Sequence, residues 1–318
     1  MKRMLTLLLC AAALLIFAAC GESEAPAPTA APDFATEAPA ETAAPTAAPT
    51  ETVPVPTETV PAPTLPRTPL ENATLFDGED ASFTITKVED NDHLGMQLHV
   101  QCLNKSSRDL MFSWDTVSVC GYMYDPMWAV EVAAGKTANT TIDLDTYALE
   151  NMGIGSVDEI TFTLRISDAE DWMKAPLTEA VHTIYPTGLN ADTLVLPPHP
   201  AYKTQVVIAE DENFRFVVED AFDDVSAYVL QVYVENKSSR NLMFSWDQVS
   251  VNGKMIDPFW AVSVAAGKRA VSEVSFSRVD LEANGITDVS GIEFKLVVSD
   301  YDDWTAPNLT EQVYTYNP

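Results

Sequence analysis

Basic residues are scarce in this 318-residue chain: 18 lysines and arginines stand against 47 aspartates and glutamates, for a formal net charge of −29 and a pI near 4.2. So acidic a surface repels phosphate backbones and anionic headgroups, which argues against nucleic-acid binding and against charge-driven docking on a membrane. Histidine is nearly absent, with only His93, His99, His182 and His199. The sequence contains no G-x-S-x-G, P-loop, H-E-x-x-H or paired C-x-x-C, so it lacks the signatures of serine hydrolases, nucleotide-driven enzymes and common zinc sites. A sustained 3.6-residue apolar period is also missing, which excludes a helical bundle.

What is present is a stretch that occurs twice. Residues 104–136 (NKSSRDLMFSWDTVSVCGYMYDPMWAVEVAAGK) and 236–268 (NKSSRNLMFSWDQVSVNGKMIDPFWAVSVAAGK) match at 26 of 33 positions with a constant offset of 132 and no gap. The offset continues downstream, and all six tryptophans fall into the pairs Trp114/Trp246, Trp128/Trp260 and Trp172/Trp304. A period of 132 is too long for a solenoid repeat and suits one small domain, so two homologous domains in tandem are expected, over 71–186 and 204–318, joined by a linker at 187–203. Upstream of residue 104 the better match, Phe83 with Phe214, runs at offset 131. It predicts one residue inserted in the second copy. At the positions matching His99 and His182 the second copy has Gln231 and Tyr314, so a histidine site would exist in one copy at most. The four histidines are read as solvated surface groups.

The first twenty residues carry Lys2 and Arg3, an apolar run from Leu5 to Phe17, then Ala18-Ala19-Cys20. This is the pattern of a secretory signal, too short for a membrane span. The tail Phe17-Ala18-Ala19-Cys20-Gly21 resembles the lipobox of bacterial lipoproteins, which implies cleavage before Cys20, lipid attachment on that cysteine and an extracytoplasmic location. Residues 21–70 are almost wholly Ala, Pro, Thr and Glu. Such a composition cannot bury enough apolar surface to offset chain entropy and predicts a disordered stalk. At about 3.1 Å per residue in polyproline II form, fifty residues would reach on the order of 150 Å.

Within each copy the apolar residues alternate: Leu230, Val232 and Val234 interleave with Gln231, Tyr233 and Glu235. That is the pattern of half-buried strands. Asn252-Gly253 predicts a type I′ hairpin, and Asp280 to Asn284, ended by Gly285, predicts one helical turn. In LMFSWDQVSV the inward phase moves from Leu242, Phe244 and Trp246 to Val249 and Val251, which demands a bulge or a strand crossing between sheets. The fold expected is all-β: two tandem antiparallel immunoglobulin-like β-sandwiches, with a small barrel as the alternative. Cys102 takes the inward phase while Cys120 takes the hairpin-tip position of Asn252, so no disulfide is expected between them.

The run Leu230-x-Val232-x-Val234-x-Asn236, a Ser-rich loop, the hairpin at Asn252-Gly253 and the turn at Gly267, repeated at Leu98, Val100, Cys102, Asn104, Cys120, Gly121 and Gly135, resembles immunoglobulin-like sandwich domains of unknown function on secreted bacterial lipoproteins. The resemblance implies a fold and an address and brings no catalytic residues.

Candidate binding residues lie on loops. They are Asp125, Trp128, Asp257 and Trp260 around the Asp-Pro dipeptides, and Asp168, Asp171, Trp172, Asp300, Asp303 and Trp304 in the acidic runs. The tryptophans offer stacking platforms for a sugar or peptide, whereas Trp114 and Trp246, on alternating strands, are expected in the core. Closely spaced carboxylates are the residue type that ligates Ca²⁺, but the EF-hand spacing is missing and solvated turns are the plainer reading. Arg108 with Asp115, and Arg240 with Asp247, are expected as ion pairs. The function read from these features is a lipid-anchored, non-enzymatic surface protein that meets an extracellular protein or glycan, with no cofactor; the competing reading is an accessory domain of a metal-dependent or hydrolytic envelope enzyme.

Overall fold

In a computed structural model, residues 68–91, 95–171, 173–196 and 198–318 are described. Cys20, the expected signal and most of the expected stalk, His93 and Trp172 lie outside them. The first half holds β1 (Ala73–Asp77), β2 (Ala81–Asn91), β3 (Gly95–Asn104), β4 (Leu110–Val119), β5 (Tyr122–Met123), β6 (Ala129–Val132), β7 (Thr137–Leu144), α1 (Thr146–Asn151), β8 (Ile160–Asp168) and β9 (Thr178–Ile184). The second holds β10 (Val206–Glu210), β11 (Phe214–Asp223), β12 (Ala227–Asn236), β13 (Leu242–Val251), β14 (Lys254–Met255), β15 (Ala261–Val264), β16 (Arg269–Ser277), α2 (Arg278–Ala283), β17 (Ile292–Asp300) and β18 (Thr310–Tyr316). The fold is all-β, with two single-turn helices among the described residues.

In the first half β1-β2-β3-β7 form one sheet, while β4 lies between β8-β9 on one side and β5 and β6 on the other. Side chains from both layers, among them Phe83, Leu98, Val100, Phe112, Trp114, Ile142, Phe162 and Leu164, form one buried cluster. The second half repeats the pairings, with β10-β11-β12-β16 against β13, β14, β15, β17 and β18, over a core of Phe216, Leu230, Val232, Phe244, Trp246, Phe276, Phe294 and Leu296. Strand alternation supplies both cores, since every second residue of a strand faces the opposite layer.

The phase change in LMFSWDQVSV is a bulge. The β13–β17 register shifts between Asp247 and Ser250, with Gln248 at φ 51°, and the β4–β8 register shifts between Asp115 and Ser118, with Thr116 at φ 49°. The extra residue lets Trp246 and Val249 face the same core. At the hairpin tip Asn252 and Gly253 have φ of 50° and 76°, as a type I′ turn requires, and Cys120 and Gly121 copy them at 47° and 81°. The helical turn forms as α2, closed by Gly285 at φ 70°.

Each NKSSR loop is held by a buried asparagine. Asn104 Nδ2 donates to the Arg108 and Val132 carbonyls at 2.7 and 2.8 Å, while its Oδ1 accepts from the Ser106 amide and hydroxyl. Asn236 does the same with Arg240, Val264 and Ser238. Cys102 and Cys120 are both buried and free. Loss of hydration raises the Cys102 thiol to about 12 and also raises that of Cys120.

Three expectations are corrected. The halves align at offset 133 upstream, since Ile85 faces Val100 as Val218 faces Val232, and Phe83 faces Cys102 as Phe216 faces Val234. The single-residue difference lies in a hairpin and has the opposite sign: three residues separate the paired Asn91 and Gly95, whereas two separate Asp224 from Ala227. Arg108 lies 3.5 Å from Asp168 and Arg240 3.3 Å from Asp300, not against Asp115 or Asp247. Tyr233 and His199 are not on a solvated face. The outer surface of β11 and β12 is covered, Tyr233 is buried, and His199 stacks on it with ring centroids 3.9 Å apart.

Candidate functional site

The Asp-Pro loops present a different residue from the one expected. Asp125 Oδ1 accepts from the Met127 amide at 2.7 Å and Asp257 Oδ1 from the Phe259 amide at 2.8 Å, so each aspartate closes its own turn. The next residue is forced to positive φ, 50° at Met127 and 49° at Phe259. This turns Met127 and Phe259 out to 88% and 96% exposure and sends the following tryptophan inward. Trp128 and Trp260 are therefore core residues, 9% and 8% exposed, packed edge-on against Phe83 and Phe216 with centroids 6.0 and 5.9 Å apart. They are not binding platforms.

The acidic loops use their carboxylates on themselves. Asp300 Oδ1 accepts from the Asp302 and Asp303 amides at 3.0 and 3.1 Å, and its other oxygen pairs with Arg240. Asp303 Oδ1 accepts from the Thr305 hydroxyl and amide, which hold its carboxyl below the usual range. Partial burial works against ionisation of Asp168, yet the Glu170 amide and the Lys174 ammonium keep its carboxyl low. Asp171 is exposed. Trp304 stands 89% exposed, the one expected stacking residue among those described that is open to solvent. Among the described residues no group of three or more His, Cys, Asp or Glu side chains is arranged to hold a metal ion.

Strand and loop residues of both halves line one cleft. A cleft of about 670 Å³ is lined by Asp115, Tyr124, Asp125, Arg165 and Glu179 of the first half and by Asn241, Ser263, Tyr301 and Asp302 of the second. Trp114, Met123 and Val264 also line it. Several polar groups are already engaged: the Tyr124 hydroxyl accepts from the Asp145 amide, Arg165 lies 3.8 Å from Glu179, and Asn241 donates to Asp302 at 2.9 Å. Loss of hydration is the chief cause that raises the Asp115 carboxyl, with Arg165 pulling it back and Glu179 and Asp125 adding to the rise. The equivalent Asp247 lies 3.8 Å from Lys295. Aromatic edges, carboxylates and an arginine around a concave surface make a set that can hydrogen-bond and stack a polar ligand. Among the described sequence candidates Asp125 lies here, together with Asp302 of the acidic run before Trp304, whereas Asp115 and Tyr301 carry no binding signal in the sequence.

A second cluster is buried between the halves. Glu219 is fully buried, pairs with His199 Nε2 and accepts from Gln231 Nε2 at 3.0 Å. His199 Nδ1 lies 2.7 Å from the Tyr122 hydroxyl. A carboxylate–imidazole–hydroxyl chain is the order used for nucleophile activation. Here the hydroxyl end is closed: Tyr122 is fully buried, and loss of hydration raises its phenol well above the ordinary value. A buried phenol with no path to a substrate makes a packing element.

No known family matches this sequence, and no curated protein is similar to it. Among solved structures, a deletion mutant of Bacillus subtilis oxalate decarboxylase aligns at 10% identity over 78% of this chain and 75% of the other, with a TM-score of 0.11. Another structure, on the substrate binding mode and a reaction specificity switch in oxalate decarboxylase, aligns at 11% identity over the same shares with the same score. At that score these alignments say nothing about the fold or chemistry of this chain.

Proposed function

We propose that the chain is a lipid-anchored, extracytoplasmic, non-enzymatic protein whose stalk presents two duplicated immunoglobulin-like sandwiches, and that it binds an extracellular glycan or peptide in the cleft between them. Duplication is supported by the sequence match and by pairings that recur at fixed offsets. The immunoglobulin-like reading is supported by strand order: setting aside the edge strand β1, the strands run β2-β3-β7 and β6-β4-β8-β9, the order of a Greek-key sandwich. Cys20 and the Pro/Thr-rich segment support the anchor and stalk.

The observation that carries the binding role is the cleft lined by the Asp125 loop of one half and by Tyr301 and Asp302 of the other. Sandwich domains commonly bind through loops held on a rigid scaffold. The non-enzymatic part is tested by assaying the purified chain against a panel of glycosidase, peptidase and esterase substrates, with and without divalent metals. No turnover above background is expected. Turnover abolished by changing one polar side chain of the cleft would overturn this part.

A further inference from the structure

The two halves have diverged most tellingly where they touch. Tyr122 occupies the position that is Lys254 in the second half, Tyr233 that of Gln101, and Arg269 that of Thr137, all at offset 132. Glu219 is the bulged residue of β11 and corresponds to Thr86, the bulged residue of β2. All four diverged residues, Tyr122, Glu219, Tyr233 and Arg269, meet in one place. The Arg269 guanidinium sits 4.1 Å over the Tyr122 ring, its amide donates to the Gly121 carbonyl at 3.0 Å, and β5 and β16 join there in the only parallel pairing among the described strands. His199, from the connector, stacks on Tyr233 and bridges the Tyr122 hydroxyl to Glu219. Around this centre Lys268 pairs with Glu159 at 3.2 Å and the Ala265 amide approaches Met123 Sδ at 3.5 Å.

We infer that Tyr122, His199, Glu219 and Arg269 form a joint that locks the two halves into one rigid body, and that these four are positioning residues for the cleft beside it. The physical reason lies in Glu219. A fully buried carboxylate is tolerated only with its partners in place, and here one partner is His199, which the Tyr122 hydroxyl orients. Separating the halves would strip the carboxylate of that support and wet the Tyr122–Arg269 contact. A hinge of simple apolar packing would carry no such demand.

The same divergence confines the joint to one use. A head-to-tail contact between homologous units can repeat without end. The edge equivalent to β5 in the second half, β14, carries Lys254 and is exposed, and a lysine on an unpaired edge discourages strand pairing. The equivalent receiving face of the first half offers Gln101, Thr86 and Thr137 and no buried carboxylate.

The test uses the sister copy as its guide. In the full chain, Tyr122→Lys, Glu219→Thr, Tyr233→Gln and Arg269→Thr are combined. Each new residue is the one the other half carries at that position in a well-formed strand, so each sandwich keeps a compatible sequence while the joint is lost. The parent is expected to unfold as one unit, with a ratio of calorimetric to van't Hoff enthalpy of about 1, and the variant as two, with a ratio of about 2. Small-angle scattering should change from that of one fixed shape to that of two bodies in varying orientation. If the variant does not stay soluble, Glu219→Gln, which removes the charge and keeps the shape, is measured the same way with the same split expected. A ratio that stays near 1 with scattering identical to the parent's, in whichever variant is measured, overturns the joint.

Discussion

Replacing Cys20 by serine is expected to move the protein from the membrane fraction to the medium, or to leave it as an uncleaved precursor, with loss of the mature anchored form. A serine hydroxyl cannot form the thioether by which the proposed anchor would hold its lipid, and each acyl methylene buried in a bilayer contributes about 0.8 kcal/mol, a loss that so acidic a chain does not offset by charge. Fractionation of cells expressing parent and variant, followed by intact-mass analysis of each fraction, reads the outcome. A variant processed and retained like the parent would remove the anchor from the account and leave the sandwich architecture standing.

The second large effect concerns the core. Trp246→Ala is expected to cost about 3–5 kcal/mol in urea unfolding, the range for truncating a large buried aromatic. Its ring stacks on Phe294 at 3.8 Å and 15°, and lies 5.6 Å from Trp260 and 6.2 Å from Phe216. No neighbour can fill the void from a side chain of that size, and the loss is a large part of the about 5–15 kcal/mol that holds a domain together. Trp304→Ala serves as the control and should stay within about 0.5 kcal/mol, because its ring is exposed. If both substitutions cost under about 1 kcal/mol, the burial assigned to Trp246 is wrong.

Much of the fold could be read because its determinants are local. The phase change in LMFSWDQVSV names its own bulge, Asn252-Gly253 names its turn, and Gly285 names the end of α2. The misplaced upstream alignment arose because Phe83 and Phe214 share a residue type, whereas pairing with β3 and β12 makes Phe216 the partner of Phe83. Contacts distant in sequence were not legible. Tyr122 and His199 are 77 residues apart, and a period-two pattern cannot tell a polar face turned to water from one turned to another domain. Tyr233, on the polar phase of its strand, therefore reads as solvated. Four positions at which the matching stretches differ, Tyr122, Glu219, Tyr233 and Arg269, do lie where the halves meet.

The candidate site was legible in part for a related reason. Asp125-Pro126 and Asp257-Pro258 fall in loops, yet which residue of a loop faces out depends on backbone angles, and the positive φ at Met127 and Phe259 exchanges the expected tryptophan for its neighbour. The cleft draws Asp125 and Tyr301-Asp302 from different halves, and their meeting depends on the joint at Tyr122 and His199, which no local pattern encodes.

Binding in that cleft is tested most directly by presenting glycan and peptide arrays to the purified chain beside a Tyr301→Ala variant. The fold of the variant is checked first by its unfolding transition. One ligand class is expected to be retained by the parent and bound at least tenfold more weakly by the variant, in keeping with the loss of a tyrosine that anchors an interface. Retention of no ligand by the parent, or retention that Tyr301→Ala leaves unchanged, would contradict it.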